Sequence, residues 1–211
     1  MINSKSYWDN KIISWEKSYF DNKSNANISF LEKIASKFRK PLIARKQNLL
    51  KIIEKEIKDK TICEFGCGTG DLINNILNLG ATKVYGLDIS PKAVSLAKKI
   101  YTNNKKIEFL VQDLSSSKKL PEANLYFGLG FIDYLTINEI ISLISKIDKL
   151  GSKYVFSVPE KKINLINILH LIYLKLAGCP KFYKFSKDQF SNLPNHKFIK
   201  INNQLFIKNF S

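Results

Sequence analysis

The chain has 211 residues, with 34 Lys plus Arg against 18 Asp plus Glu, a formal net charge of +16, 45% hydrophobic and 12% aromatic content, and three cysteines. These proportions describe one globular domain and exclude a disordered chain, a collagen-like repeat and a disulfide scaffold. A chain of this length buries about 70% of its unfolded surface, so its core needs neither metal nor disulfide.

Trp8, Ile12, Trp15 and Tyr19 recur at i, i+4, i+7 and i+11, the stripe of an amphipathic helix whose commonest use is packing. A second helix over about 42–57 leads into the first strand. From Thr61 short apolar runs alternate with helical patterns: TICEF then 71–79, KVYGLD then 91–101, KIEFLVQ, NLYFGLG then 136–149, and YVFSV then 163–177. That alternation predicts a parallel sheet covered on both faces. The tail KFIKINNQLFIKNF predicts two short strands around Asn202-Asn203, an antiparallel hairpin at the sheet edge. No repeat or Gly/Ser/Pro-rich linker divides the chain, which reads as a helical cap over 1–60, a core over 61–160 and a final segment over 161–211.

Cys63, Cys67 and Cys179 are odd in number and lack paired spacing, and MINSKSYWDN has neither a basic nor an apolar leader region, so the cytoplasm is the expected compartment. The apolar stretch from Ile163 to Cys179 is interrupted by Asn164, Asn167, His170 and Lys175 and falls short of a membrane span. A core helix or one lying in a lipid interface fits it, the latter leaving peripheral membrane contact open.

The chemistry concentrates in Cys63-Glu64-Phe65-Gly66-Cys67-Gly68-Thr69-Gly70-Asp71, a strand entering a glycine-rich turn and then a helix. Glycines there admit positive φ and let a ligand approach the backbone. The spacing is GxGxG with Asp71 in the sixth position, and Glu64 stands at the strand end, a departure from the dinucleotide fingerprint. Asp71 places negative charge where a pyrophosphate would sit, which argues against an NAD-dependent oxidoreductase. Asp88 ends the second strand, where a carboxylate can accept from both hydroxyls of a ribose, and Asp113 follows the third. Three acids at one sheet edge suit a polar nucleoside without phosphates.

This run resembles the motifs of class I S-adenosylmethionine-dependent methyltransferases, over roughly residues 40–160. The resemblance implies a Rossmann-like α/β fold: a seven-stranded, mostly parallel sheet with a C-terminal antiparallel hairpin and an N-terminal helical cap. By the same resemblance the cofactor is S-adenosyl-L-methionine. Glu64 reads its ammonium side, Gly66, Gly68 and Gly70 line it with Cys67 between them, Asp88 holds the ribose, Ile89 packs on adenine, and Asp113 with Leu114 meets the adenine amino group. Gly128 ends the fourth strand beside it. Gly128-Leu129-Gly130-Phe131-Ile132-Asp133-Tyr134-Leu135 resembles the LG-x-x-DY-L loop of small-molecule enzymes akin to the magnesium-protoporphyrin O-methyltransferase group, and Gly178-Cys179-Pro180 resembles a turn of the same bacterial relatives. Asn124 stands where many relatives begin this strand with Asp.

Only Arg39 and Arg45 are arginines among the 34 basic residues. Arg45 is the candidate for the methionine carboxylate, because guanidinium binds carboxylate in a planar, bidentate way; chance survival or a structural ion pair is the alternative. Asp133 and Tyr134 follow the fourth strand, where the methyl group should point, and His170 lies on a narrow polar helix face, so these three are the candidate acid–base groups. His196 sits in a turn and is expected to be exposed. No cluster has metal-ligand spacing.

Residues 1–60 carry 14 basic and 7 acidic side chains, 61–160 carry 11 and 10, and 161–211 carry 9 and 1. Basic, aromatic flanks around a neutral core suit an anionic small-molecule, lipid-linked or sugar-conjugate acceptor; solvated lysines with no partner explain them equally. An RNA methyltransferase would share the core, but nothing resembling its fourth-strand amino-group loop or an appended RNA-binding domain is present. A non-catalytic S-adenosylmethionine-binding protein is expected to have lost the glycines or Asp88.

Overall fold

The computed structural model describes residues 5–11, 30–116, 119–161, 178–179 and 182–211, for 30–42 the backbone alone. Helix α1 covers 5–11. In chain order there follow α2 (Phe30–Ile57), β1 (Thr61–Phe65), α3 (Ile73–Asn78), β2 (Lys83–Asp88), α4 (Pro91–Ile100), β3 (Ile107–Val111), β4 (Leu125–Gly128), α5 (Ile137–Lys149), β5 (Lys153–Val158), β6 (Lys197–Ile201) and β7 (Gln204–Lys208). Single 3-10 turns occupy Ile132–Tyr134 and Lys187–Phe190.

The strands form one sheet in the order β3-β2-β1-β4-β5-β7-β6. The first five are parallel and β7 runs antiparallel to β5 and β6. This is a Rossmann-like, mostly parallel seven-stranded sheet with a C-terminal antiparallel hairpin, as the resemblance implies. Its strands are apolar on both faces because both are covered. Ile62, Val84, Leu125, Phe127, Val155 and Phe206 pack with Leu49, Ile53 and Ile57 of α2 and with α3 and α4. Their neighbours Cys63, Phe65, Tyr126, Tyr154, Phe156 and Ile207 pack with Ile140, Leu143, Ile144 and Ile147 of α5. Each fully buried aliphatic side chain of that kind contributes about 1.5–3 kcal/mol of transfer free energy.

Local chemistry sets the element ends. Ser90 caps α4, accepting from Ala93 N–H, and Pro91 follows at the first helical position, where its missing N–H costs nothing. Thr136 and Glu139 form a reciprocal capping box on α5. In the hairpin, Asn202 and Asn203 take φ of 47° and 63°, the left-handed pair that a two-residue turn between twisted strands requires.

Three expectations change. Helix α2 begins at Phe30 rather than near residue 42 and runs through Pro41. Asn124 lies at the opposite sheet edge from the nucleotide-like loop, where its side chain accepts from Thr61 N–H at 2.9 Å and ties β1 to β4. His196 is half-buried rather than exposed, with Nδ1 2.7 Å from the Leu193 carbonyl and its ring edge-on to Phe198. The helix expected over 163–177, with His170, and the stripe residues Ile12, Trp15 and Tyr19 lie outside the described residues. Among those described, no helix is long and apolar enough to cross a membrane.

Chain order reverses between β1 and β4, so the loops leaving these strands diverge and open a crevice beyond their carboxyl ends. The candidate site lies there.

Candidate functional site

Strand β1 delivers Glu64 to the crevice floor. It is 4% exposed, and its Oε2 has no hydrogen-bond partner. Burial pushes the carboxyl up to about 8; Lys46 opposes that rise and Asp88 adds to it. Lys46 reaches down from α2 and forms an ion pair with Asp71, which docks the helix on the glycine loop.

The loop turns back on β2. Gly66 and Cys67 both donate to the Leu87 carbonyl, at 2.8 and 3.1 Å. Gly68 N–H donates to Asp88 Oδ2 and Ser90 N–H to Asp88 Oδ1, both at 2.9 Å. Asp88 thereby joins the loop to the start of α4, and with Ile89 N–H as a third backbone donor the carboxylate keeps only part of its acceptor capacity open. Burial raises its pKa, and the backbone donors from Ser90 and Gly68 oppose that. Gly66 and Gly68 adopt φ of 68° and 54°, conformations that a side chain disfavours.

Close approach explains two other glycines. A Cβ at Gly70 would lie 2.9 Å from the Tyr101 ring, and the Tyr101 hydroxyl donates to the Gly70 carbonyl at 2.7 Å. A Cβ at Gly128 would lie 2.6 Å from the Phe131 ring and 2.7 Å from the Phe65 carbonyl oxygen. Cys67 is buried, its sulfur 3.0 Å from where a Cβ at Gly86 would stand, and burial pushes its thiol well up.

Beyond β2 and β3 the partners are local. Ile89 is half-buried, and Leu114 packs partly buried against the α5-side core. Gln112 N–H donates to the Asp88 carbonyl at 2.8 Å and holds the two strand ends together. Asp113 is exposed, and its Oδ1 accepts from the N–H and hydroxyl of Ser115 at 2.9 and 2.7 Å, so one oxygen serves its own turn.

The β4 loop forms the other wall. Arg45 of α2 reaches Gly130: one guanidinium nitrogen lies 3.8 Å, and Asp133 Oδ2 4.0 Å, from where a Cβ at Gly130 would stand. Asp133 is 6% exposed and its Oδ1 is unpartnered. Burial pushes its carboxyl up to about 6, against the opposing charges of Arg45 and Lys184. The Asp133 carbonyl accepts from Tyr183 N–H at 2.7 Å, which brings the 182–185 segment to the site. There the Lys184 ammonium nitrogen is buried without a partner, and burial lowers its pKa.

Tyr134 is edge-on to Trp8 at 5.4 Å and to Phe182 at 5.9 Å. Burial raises its phenol pKa strongly. Burial raises the Cys179 thiol pKa, and the phenols of Tyr7 and Tyr134 beside it oppose that rise. Next to Trp8 in α1, Asp9 Oδ1 accepts from the Ser90 hydroxyl at 2.5 Å and from Lys92 N–H at 3.3 Å. Helix α1 therefore touches both the start of α4, through Asp9, and the β4 loop, through Trp8.

The structure thus gathers Glu64, Gly66, Gly68, Asp88, Arg45, Asp133 and Tyr134 around one crevice. Sequence reasoning missed Asp9, Phe131 and Lys184. Lys184 is one lysine among 32, and nothing in its local spacing marks it. Among the described residues, no group of His, Cys, Asp and Glu is placed to hold a metal ion.

Residues 62–150 match the family model described as a methyltransferase domain. Among curated proteins, the chain is 42% identical over 62 residues to a ribosomal protein L11 methyltransferase of Aliivibrio salmonicida, covering 28% of this chain and 21% of that protein. It is 32% identical over 109 residues to the protein of the same name from Photobacterium profundum, covering 49% and 35%. The chain therefore spans about a fifth to a third of the length of these relatives. Among solved structures, magnesium protoporphyrin IX methyltransferase from Synechocystis PCC 6803 with bound SAH superposes with a TM-score of 0.68 at 17% identity, covering 97% of this chain and 96% of that one. The DhpI–SAH complex gives 0.63 at 12% identity, covering 97% and 93%. These two likenesses establish the shared fold.

Proposed function

We propose, for a chain built on a class I methyltransferase domain, the transfer of a methyl group from S-adenosyl-L-methionine to an oxygen or nitrogen of a small-molecule, lipid-linked or sugar-conjugate acceptor. The observation that carries this reading is the buried Glu64 carboxyl, whose Oε2 has no partner, beside Asp88 at the sheet's switch point. A carboxylate sealed from water without a donor is costly, and a ligand ammonium removes that cost. The residues fit the cofactor on that ground.

S-adenosylmethionine, when bound, supplies a methyl group on a positively charged sulfur. The chain's own groups do the rest. Glu64 holds the ammonium. Gly66 and Gly68 let the backbone approach, with Cys67 packed behind them. Gly70 and Gly128 keep Tyr101 and Phe131 close against the loop. The open acceptor capacity of Asp88 serves the ribose hydroxyls, and Ile89 with Leu114 walls the adenine. Asp113 keeps its second oxygen for the adenine amino group. Arg45 faces the carboxylate end. Helix α1, pinned by Asp9 and Trp8, excludes water from the crevice, and positioning the acceptor supplies most of the rate.

On the acceptor side Asp133 and Tyr134 line the β4 loop, with His170 assigned to the same side by the sequence. The basic flanks favour an anionic acceptor. The whole chain acts as one unit, 1–60 as cap, 61–160 as cofactor core and 161–211 as acceptor side. Cys63, Cys67 and Cys179 are free thiols, which suits the reducing cytoplasm.

Calorimetric titration with S-adenosylhomocysteine tests the reading on wild type and Asp88→Ala, with NADH as control. Micromolar binding to wild type, lost in the variant and absent with NADH, is expected. Tight NADH binding or no binding to either compound overturns it.

A further inference from the structure

Two buried polar atoms of opposite charge type stand on neighbouring segments at the β4 edge, which the Tyr183–Asp133 backbone hydrogen bond joins, and neither has a partner. Asp133 Oδ1 and Lys184 Nζ are both sealed from solvent and both lack a hydrogen-bond partner. Each senses the other's charge, yet no ion pair joins them among the described residues. The hydrogen bond from Tyr183 N–H to the Asp133 carbonyl, at 2.7 Å, holds the segment that carries Lys184 against the β4 loop. A buried carboxylate and a buried ammonium left apart cost more than the same pair in contact. Buried polar groups are almost always satisfied, so an unfilled pair of opposite sign points to a group that bridges them.

The bridging group must donate to the carboxylate and accept from the ammonium. A hydroxyl does both through one oxygen; a carboxylate group only accepts, and a protonated amine only donates. Aromatic rings stand nearby in the chain. Tyr134 follows Asp133 in the chain and packs edge-on against Trp8 and Phe182, and Phe182 lies two residues before Lys184. Aromatic rings on the residues next to Asp133 and near Lys184 suit a ring-bearing molecule, and the pair of opposite charge types suits a group that both donates and accepts.

We propose that Asp133 and Lys184 form an acceptor subsite for a hydroxyl carried on an apolar, ring-bearing molecule, Asp133 taking the hydroxyl proton and Lys184 holding the oxygen. This rests on the methyl-transfer reading above. The oxygen–hydrogen bond breaks toward the Asp133 carboxylate, which becomes the acid. The freed electron pair forms the new bond to the methyl carbon, and the former bonding pair of that carbon leaves with the sulfur, which becomes neutral. Lys184 keeps its proton throughout and stabilises the charge that grows on the oxygen.

The probes are phenol, benzoate and benzylamine, each titrated into protein saturated with S-adenosylhomocysteine and followed by ligand-observed NMR. Phenol should bind wild type in the millimolar range and at least about tenfold more weakly to Asp133→Ala and Lys184→Met, the loss of one hydrogen bond to a charged group. Lys184→Arg, which keeps the donor, should retain phenol better than Lys184→Met. Benzoate or benzylamine binding better than phenol overturns the proposal, as does equal phenol affinity in the variants. Failure of phenol to bind at roughly 20 mM means that only a water bridges the pair, and also overturns it. Calorimetry with S-adenosylhomocysteine on every sample checks folding and separates the two readings. No binding of that compound to wild type removes the methyltransferase reading; its binding without phenol removes the hydroxyl subsite alone.

Discussion

The Ser90 hydroxyl donates to Asp9 Oδ1 at 2.5 Å while accepting from Ala93 N–H at 3.1 Å, so one fully buried oxygen caps α4 and fastens α1. A hydroxyl has one proton to give and two lone pairs, and this geometry uses the proton for the lid and a lone pair for the helix. Cap and lid are therefore separable by mutation.

Asp9→Ala removes the tether and leaves the cap. S-adenosylhomocysteine should leave several-fold faster, because a charge-assisted hydrogen bond is worth about 1.5–3 kcal/mol and part of it holds α1 shut. Stopped-flow fluorescence, with Trp8 in the lid as reporter, reads the rate. Ser90→Ala removes both, and should also lower global stability by about 1 kcal/mol, the usual value of a cap. Identical dissociation rates in Asp9→Ala and wild type would show that α1 is no lid.

The raised pKa of Glu64 makes stability, and on the proposed reading cofactor binding, depend on pH. Its pKa rises from 4.5 unfolded to about 8 folded, so the folded protein prefers the protonated acid. Stability is then highest below pH 4.5, falls by up to about 1.4 kcal/mol per unit as pH rises through the window to about 8, and is flat above. Lys46 and Asp88 face the same carboxyl and act on it in opposite directions. Glu64→Gln should abolish this contribution, a change that urea denaturation at several pH values resolves.

An ammonium ligand needs the ionised form. Binding at pH 7 should accordingly release about 0.9 proton from Glu64, and affinity should weaken by up to tenfold per unit below pH 8. Calorimetry in buffers of different ionisation enthalpy measures the proton count. A count near zero in wild type, equal to that of Glu64→Gln, would remove Glu64 from the ammonium.

Gly128→Ala should destabilise the fold by about 1–3 kcal/mol, because the new methyl meets both the Phe131 ring and the Phe65 carbonyl. Shrinking the ring in Gly128→Ala/Phe131→Leu should recover only part, since the carbonyl is backbone and cannot retreat. Thermal unfolding of the two variants decides it.

Asn124→Ala should cost about 1 kcal/mol by leaving Thr61 N–H without its acceptor, with S-adenosylhomocysteine affinity unchanged. Asn124→Asp keeps an acceptor oxygen and should cost less. A change in cofactor affinity in either variant would contradict the position of Asn124 at the far edge of the sheet.

The amino-acid sequence by itself determined the elements and the cofactor-side grouping. β1 and β2 fall where TICEF and KVYGLD stand, because an apolar run bounded by turn residues has one way to bury both faces. Asn202-Asn203 sets the hairpin for a similar local reason. Glu64, the glycine loop and Asp88 belong to consecutive elements, and parallel pairing of β1 with β2 brings their ends together without further information. Pro41 shows the limit of such signals, since cooperative helix on both sides carries α2 through it.

Tertiary structure decided what meets across the crevice. Asp9 reaches Ser90, Arg45 faces Gly130 and Asp133, and Lys184 stands opposite Asp133, through crossovers that no local periodicity encodes. Burial divided otherwise similar residues: Asp113, exposed, turns one oxygen to Ser115, while Asp133, sealed, keeps an oxygen without a partner. A side chain's type is written in the sequence. Its solvation, which sets its charge and its chemistry, is a property of everything packed around it.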